Sequence, residues 1–291
     1  MALPGMTDHE SPTRCAWWKR PRVWATAVVV VVVATSIAGV GLLAGGDDSS
    51  QPTVAVPPPV LQEPSGSLPN DSTEGGPYTG SDVDVIGRGM RVPADANGHV
   101  LEQTPRTSSS RLTQPISPPQ GLEWQKVYGV PMPFSTSDGP TSMSIDGVPS
   151  GFSRTPQGAA LATLQILMRF TYGPREVRQA VLDSSVIGSA ELKQIVFNAP
   201  SEPRYQTVPA AVQILEDRYS QDAASVRWMF GPFPAPEEFP TTDGTVYHGG
   251  AIPAVWEEGR WKVKLTEAVV SSELSDFEEY LDDPRWATTW F

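Results

Sequence analysis

Apolar and polar positions follow three regimes along this chain. Residues Ala25–Ala44 read ATAVVVVVVATSIAGVGLLA, an unbroken apolar run without a charge. A helix rises about 1.5 Å per residue, so roughly 20 such residues cross a hydrocarbon core of about 30 Å; the run predicts a membrane-spanning helix. From residue 45 to residue 120 large apolar residues become sparse and Pro, Ser, Gly, Thr and Asp dominate. Burial there is too small to offset the entropy of ordering the chain, so 45–120 reads as a disordered linker, in places polyproline II. One patch inside it, Val83, Val85 and Ile86 followed by Met90 and Val92, resists that reading; its alternative is a short strand that docks on the folded domain.

Sustained periodicity begins at Gly121, and residues 121–291 read as one folded domain. Thr155-Pro156 supplies an N-cap hydroxyl and a proline at the first helical position. Ala160, Leu161, Leu164, Leu167 and Met168 then share one helical face, with Gln165 and Arg169 off it. Gly173-Pro174 ends this helix and opens a second, and Leu192, Ile195 and Val196 mark a third. After Pro209 the period becomes two. Strands are expected at Ala211–Tyr219, at Ala224–Phe230, at Ile252–Trp256 and, after a tight turn at Glu257–Gly259, at Trp261–Leu265. Helices followed by antiparallel strands predict an α+β class, with a curved antiparallel sheet wrapped over the long helix.

Charge gives the apolar run a direction. Arg14, Lys19, Arg20 and Arg22 precede it, and Asp47 and Asp48 follow it. Positive residues remain cytoplasmic. Residues 1–24 are therefore expected as a cytoplasmic tail, 25–44 as the single span of a plasma-membrane protein, and the C-terminal domain outside the membrane. Trp17, Trp18 and Trp24 sit where indole rings favour the interface. A cleaved signal peptide is the competing reading, but Leu42 and Leu43 occupy the positions where small residues would precede the cut. Ala34/Ala38 and Gly41/Gly45 have the spacing that lets two membrane helices approach, which allows self-association. The net charge is −12 over 291 residues, and all of the acidic excess lies beyond the span. Such a surface repels phosphate backbones and argues against direct nucleic-acid binding. The single cysteine, Cys15, precedes the span, so no disulfide, thiolate metal site or cysteine nucleophile is available after it.

The helices-then-strands order resembles the nuclear-transport-factor-2-like, or cystatin-like, α+β fold. The Trp256-to-Leu265 pattern, WEEGRWKVKL, looks like the closing hairpin of such domains. The segment Val148–Phe152 with Thr155–Ala160 resembles one common in exported actinobacterial proteins, often from conjugative elements. Tail, single span, linker and one such domain together resemble the bitopic assembly proteins of conjugative type IV secretion systems. The resemblance implies a non-enzymatic, membrane-anchored scaffold that contacts other membrane or envelope proteins of an envelope-spanning complex. The alternative it implies is a lipid- or small-ligand-binding accessory protein of an envelope transport system.

Residues able to carry chemistry are few. The histidines are His9, His99 and His248, which leaves no histidine metal site, and no cofactor is expected. A Ser-His-Asp triad would have only His248 to use, and Ser150 lacks the G-x-S-x-G spacing. The carboxylate pairs Glu216/Asp217, Glu237/Glu238, Glu257/Glu258, Glu278/Glu279 and Asp282/Asp283 are adjacent in sequence, which directs their side chains apart; they read as solvated charge. No catalytic residue is expected. The resemblance implies a cone-shaped pocket, for which Tyr205, Tyr219, Arg227, Trp228 and His248 are the candidates. Trp286, Trp290 and Phe291 either contact a partner or pack back on the domain.

Overall fold

The computed structural model describes residues 76–200, 207–237, 239–271, 275–278 and 280–291. The tail, the apolar run at 25–44 and the first part of the expected linker lie outside the described residues. Among the described residues no helix is long and apolar enough to cross a membrane.

The described chain is mixed α+β. Its first part is strand-rich: β1 (Tyr78–Val83), β2 (Gly89–Pro93), β3 (Glu123–Val127), β4 (Val130–Phe134), β5 (Ser142–Met143) and β6 (Pro149–Ser150). Helices follow as α1 (Pro156–Tyr172), α2 (Arg175–Ser184) and, after β7 (Val186–Ile187), α3 (Ala190–Asn198). The last part holds β8 (Ala211–Ile214), β9 (Ala223–Pro234), β10 (Thr245–Glu257), β11 (Arg260–Lys264), α4 (Glu267–Val270) and β12 (Ser275–Glu278).

Local signals set the helix ends. Thr155 Oγ1 accepts from the Gly158 amide at 3.0 Å and Pro156 opens α1. Gly173 closes α1, its N–H donating to Arg169 O at 3.0 Å, and Pro174 starts α2. Ser189 caps α3 through its hydroxyl. In the larger sheet the order is β7-β11-β10-β9-β8, with β12 also on β10. β9 and β10 form its long antiparallel spine, with a bulge between Val246 and His248. The β10–β11 turn places Glu258 and Gly259 at φ 52° and 76°, the left-handed region that glycine enters without steric cost. The strand expected over Ala211–Tyr219 is shorter than its apolar pattern suggested. It stops at Ile214 and the chain turns into a 3₁₀ segment, Glu216–Arg218, whose side chains are solvated.

The smaller sheet has the order β1-β2-β3-β4, with β2 and β3 parallel. It corrects the expectation of disorder for residues 76–120. Met90 and Ile116 are core residues, and the irregular chain between β2 and β3 is tied to distant backbone. Gln125 Oε1 accepts from His99 N at 2.7 Å and its Nε2 donates to His99 O at 2.8 Å. Thr104 N donates to Thr136 O at 2.7 Å, and Gln114 Nε2 to Ile214 O at 2.6 Å. Order here comes from partners far along the chain, which local composition does not reveal.

α1 lies between the two sheets, touching β4 on one side and β9, β10 and β11 on the other. Its polar face is therefore buried too, contrary to the one-faced reading. Gln165 donates to Pro133 O at 2.8 Å and accepts from Arg169 Nε at 2.9 Å. The Arg169 guanidinium also reaches Gly147 O at 3.1 Å and Asn97 O at 2.8 Å. Burial brings its pKa down to about 10.

Candidate functional site

The four pocket candidates among the described residues do not converge. Tyr205 lies outside the described residues. Trp228 is buried against α1 and meets Trp290 edge-on at 5.8 Å. Arg227, its neighbour on β9, points to the other face of the sheet. There its Nη2 lies 3.0 Å from Glu278 Oε1 and its guanidinium covers the Trp286 ring at 4.9 Å. His248 is buried and stacked on Phe277 at 4.5 Å. Tyr219 donates its hydroxyl to Ser110 O at 2.7 Å, and burial pushes its pKa up to about 12. Each of these four is consumed by a different part of the fold, so Tyr219, Arg227, Trp228 and His248 do not line one cone-shaped pocket.

The tail aromatics pack back on the domain. Ala287 and Val212 exchange backbone hydrogen bonds of 2.9 and 3.0 Å along the free edge of β8. This puts Trp286 on the outer face, with Ala211 and Met229, and Trp290 on the inner face. Trp290 donates through Nε1 to Ile116 O at 3.1 Å and accepts at its carbonyl from Trp124 Nε1 at 2.7 Å. Trp286 and Trp290 are thus unavailable as partner anchors; Phe291 remains 36% exposed beside Trp124.

The turn between β1 and β2 is the most exposed apolar feature of the described surface outside isolated positions. Val83, Val85 and Ile86 are 59%, 73% and 44% exposed. Isolated apolar side chains on a surface are ordinary, whereas a contiguous group on a fixed element is informative. This turn is fixed by Asp84, whose carboxylate is fully buried. Its Oδ1 accepts from the amides of Ile86 at 3.0 Å and Arg88 at 2.8 Å. Its Oδ2 accepts from Arg88 Nε at 2.8 Å and from the Val208 amide at 2.9 Å. Arg88 then donates to the carbonyls of Pro209, at 3.1 Å, and Val208, and covers the Phe291 ring at 5.5 Å. The turn is clasped to the edge of the larger sheet while its three apolar side chains face outward.

A family model described as a domain of unknown function, DUF8175, matches residues 91–282. The chain belongs to that family. No curated protein and no solved structure matches it. The DUF8175 match begins inside β2 and takes in β3 to β12 and α1 to α4, so both sheets contribute to the family unit. β1, the apolar turn and the Trp286–Phe291 segment flank it.

Elsewhere on the DUF8175 domain two of the carboxylate pairs lie where solvent or a lysine meets them. Glu216 and Asp217 are exposed, and Lys262 Nζ lies 2.6 Å from Glu258 and 4.0 Å from Glu257. Among the described residues no group of three or more His, Cys, Asp or Glu is placed to hold a metal ion. The alternative strand reading of Val83 to Val92 holds for Val83, at the end of β1, and for Met90 and Val92 in β2; it missed that Val85 and Ile86 form an outward-facing turn between them. The available signal was Asp84 followed by Gly87-Arg88, a side-chain acceptor and a left-handed glycine typical of a turn.

Proposed function

We propose that this protein is a membrane-anchored, non-enzymatic scaffold of an envelope-spanning complex, of the conjugative secretion kind, whose outer domain works through protein–protein contacts. The observation that carries the reading is the clasped turn: Val83, Val85 and Ile86 exposed on a backbone held by a buried carboxylate. A rigid apolar projection loses little conformational entropy when a partner covers it. The uncharged Ala25–Ala44 run and the positive residues before it support anchoring with the domain outside. The nuclear-transport-factor-2-like resemblance belongs to the same reading and is supported by α1 to α3 preceding the antiparallel strands β8 to β11.

A photo-crosslinking residue placed at Val85 in the full chain, in its own cells, tests this. Envelope proteins of one assembly, recovered with the chain and lost on Val83→Ser/Ile86→Ser substitution, are expected. Recovery of the chain alone, with a membrane fraction that lacks it, would overturn the proposal.

A further inference from the structure

The covalent route from the apolar run to α1 and the larger sheet passes through the irregular strap between β2 and β3. Residues 102–107 and 109–111 of this strap are exposed. Among the described residues no backbone–backbone hydrogen bond involves 105–119. Exposed backbone that no ladder holds is where endopeptidases cut, because it enters their cleft without prior unfolding.

Two cations stand on this stretch, Arg106 and Arg111. Both are exposed, and neither side chain has a hydrogen bond or ion pair among the described residues. Every other described Lys or Arg lies in a helix or strand or, for Arg88, Arg154 and Arg285, in an ion pair. Residues 23–87 contain no Lys or Arg at all. An enzyme that requires arginine therefore has no bond to cut from the apolar run to the end of the β1–β2 turn. Its first exposed, unpaired arginine is Arg106. Thr107 and Leu112 follow the two arginines, so neither bond is the tertiary amide of an X-Pro pair.

The strap is pinned on both sides of each bond. Thr104 N donates to Thr136 O at 2.7 Å, and Ser108 Oγ to Asp138 Oδ1 at 2.7 Å. Further along, Ser110 O accepts from Tyr219 and Gln114 donates to Ile214 O. The part before the strap has its own hold on the rest. Met90 is in the core, Arg91 pairs with Gln125, and Arg169 Nη2 donates to Asn97 O at 2.8 Å. The Asp84–Val208 bond adds a link to the edge of the larger sheet.

We propose that the strap is a processing site for an arginine-specific endopeptidase, cut after Arg106 or Arg111, and that the fold retains both pieces. The step consumes water alone. The C–N bond after the arginine breaks, the arginine keeps a carboxylate and the next residue gains an ammonium, with no change of oxidation state. On the anchored reading proposed above, on which only this consequence rests, the cut replaces the one covalent link between span and larger sheet by contacts that can be broken and remade.

Limited trypsin digestion of the purified full chain, followed by mass spectrometry and gel filtration, tests it. Beyond residue 75, the bonds after Arg106 and Arg111 are expected to open at least about tenfold faster than any other, because the others need local unfolding first. The two pieces are expected to elute together. The unfolding midpoint of the cut chain, and not of the intact one, is expected to fall on dilution, because its unfolding is also a dissociation. The double variant R106Q/R111Q, changed at two exposed side chains without partners, is expected to resist the cut and keep the wild-type midpoint. In the chain's own cells, without added trypsin, a piece beginning at Thr107 or Leu112 is expected. Faster cutting elsewhere, immediate separation of the pieces, or cells holding only the uncut chain overturns the proposal. A cut chain whose two pieces both occur in the soluble fraction would sustain the site and remove the anchor, so the two readings fail separately.

Discussion

Replacing Asp84 by Ala should destabilise the domain more than any comparable change at the surface. The carboxylate accepts from three backbone amides and from Arg88 Nε, and none of it reaches solvent. Its removal strands the buried Val208 amide and leaves a guanidinium that is only 20% exposed without its counter-charge. Breaking a buried ion pair from one side costs about 3–5 kcal/mol, because the remaining charge stays buried and unpaired. In a domain of this size each kcal/mol lowers Tm by about 2–4 °C, so a drop of roughly 6–20 °C is expected. Salt should change the result little, since the pair is shielded from solvent. Thermal unfolding of wild type and D84A, paired with amide exchange at Ile86, Arg88 and Val208, is the assay. A Tm shift below about 2 °C, or unchanged exchange at Val208, would refute the argument that this carboxylate joins the turn to the sheet.

Trp290→Ala should cost about 3–5 kcal/mol in urea unfolding, because it empties the space beside Trp228 in the buried core; a loss under about 1 kcal/mol would contradict the packing. Gly249→Ala would put a Cβ 1.8 Å from the Trp228 carbonyl oxygen, on the spine of the larger sheet. A loss of about 3 kcal/mol or more in the same assay is expected, and a neutral result would mean that the β9–β10 pairing is not as described. The Arg285 side chain, aided by its backbone amide, holds Asp283 down to about 2. The folded value is depressed, so the contribution to stability is present above about pH 4 and is lost as pH falls toward 2; it is small because the pair is solvated. Carbon-detected NMR titration should find Asp283 near 2 in the wild type and near its ordinary value in Arg285→Gln; no difference between them would discard the pairing.

Elements written in local signals were legible in the sequence. Thr155-Pro156 and Gly173-Pro174 delimit α1, because an N-cap hydroxyl, a proline and a closing glycine act on their immediate neighbours. Alternation located β9, β11 and the second half of β10 for the same reason, but not the Thr245–Ala251 half of β10. Residues 76–120 were misread because their order depends on groups such as Gln125, Thr136 and Ile214, far away in sequence. Gln165 and Arg169 lie off the apolar face of the helix pattern, and one helix pattern cannot announce a second sheet behind it. The clasped turn was half legible: the apolar residues stood out, while the pairing of Asp84 with Val208 did not.

The crossing of Ala287 over the β8 edge has a kinetic consequence. Trp290 closes a space bounded by Ile116, Trp124 and Trp228, so contacts separated by 174 and 166 positions complete the core. Loop closure over such spans must precede the energetic return, which slows folding. No nascent chain lacking 286–290 can finish its interior. Until that segment arrives, the edge of β8 and the indole of Trp228 stay open, and the period before its arrival is when chaperone capture or misassociation has its opportunity.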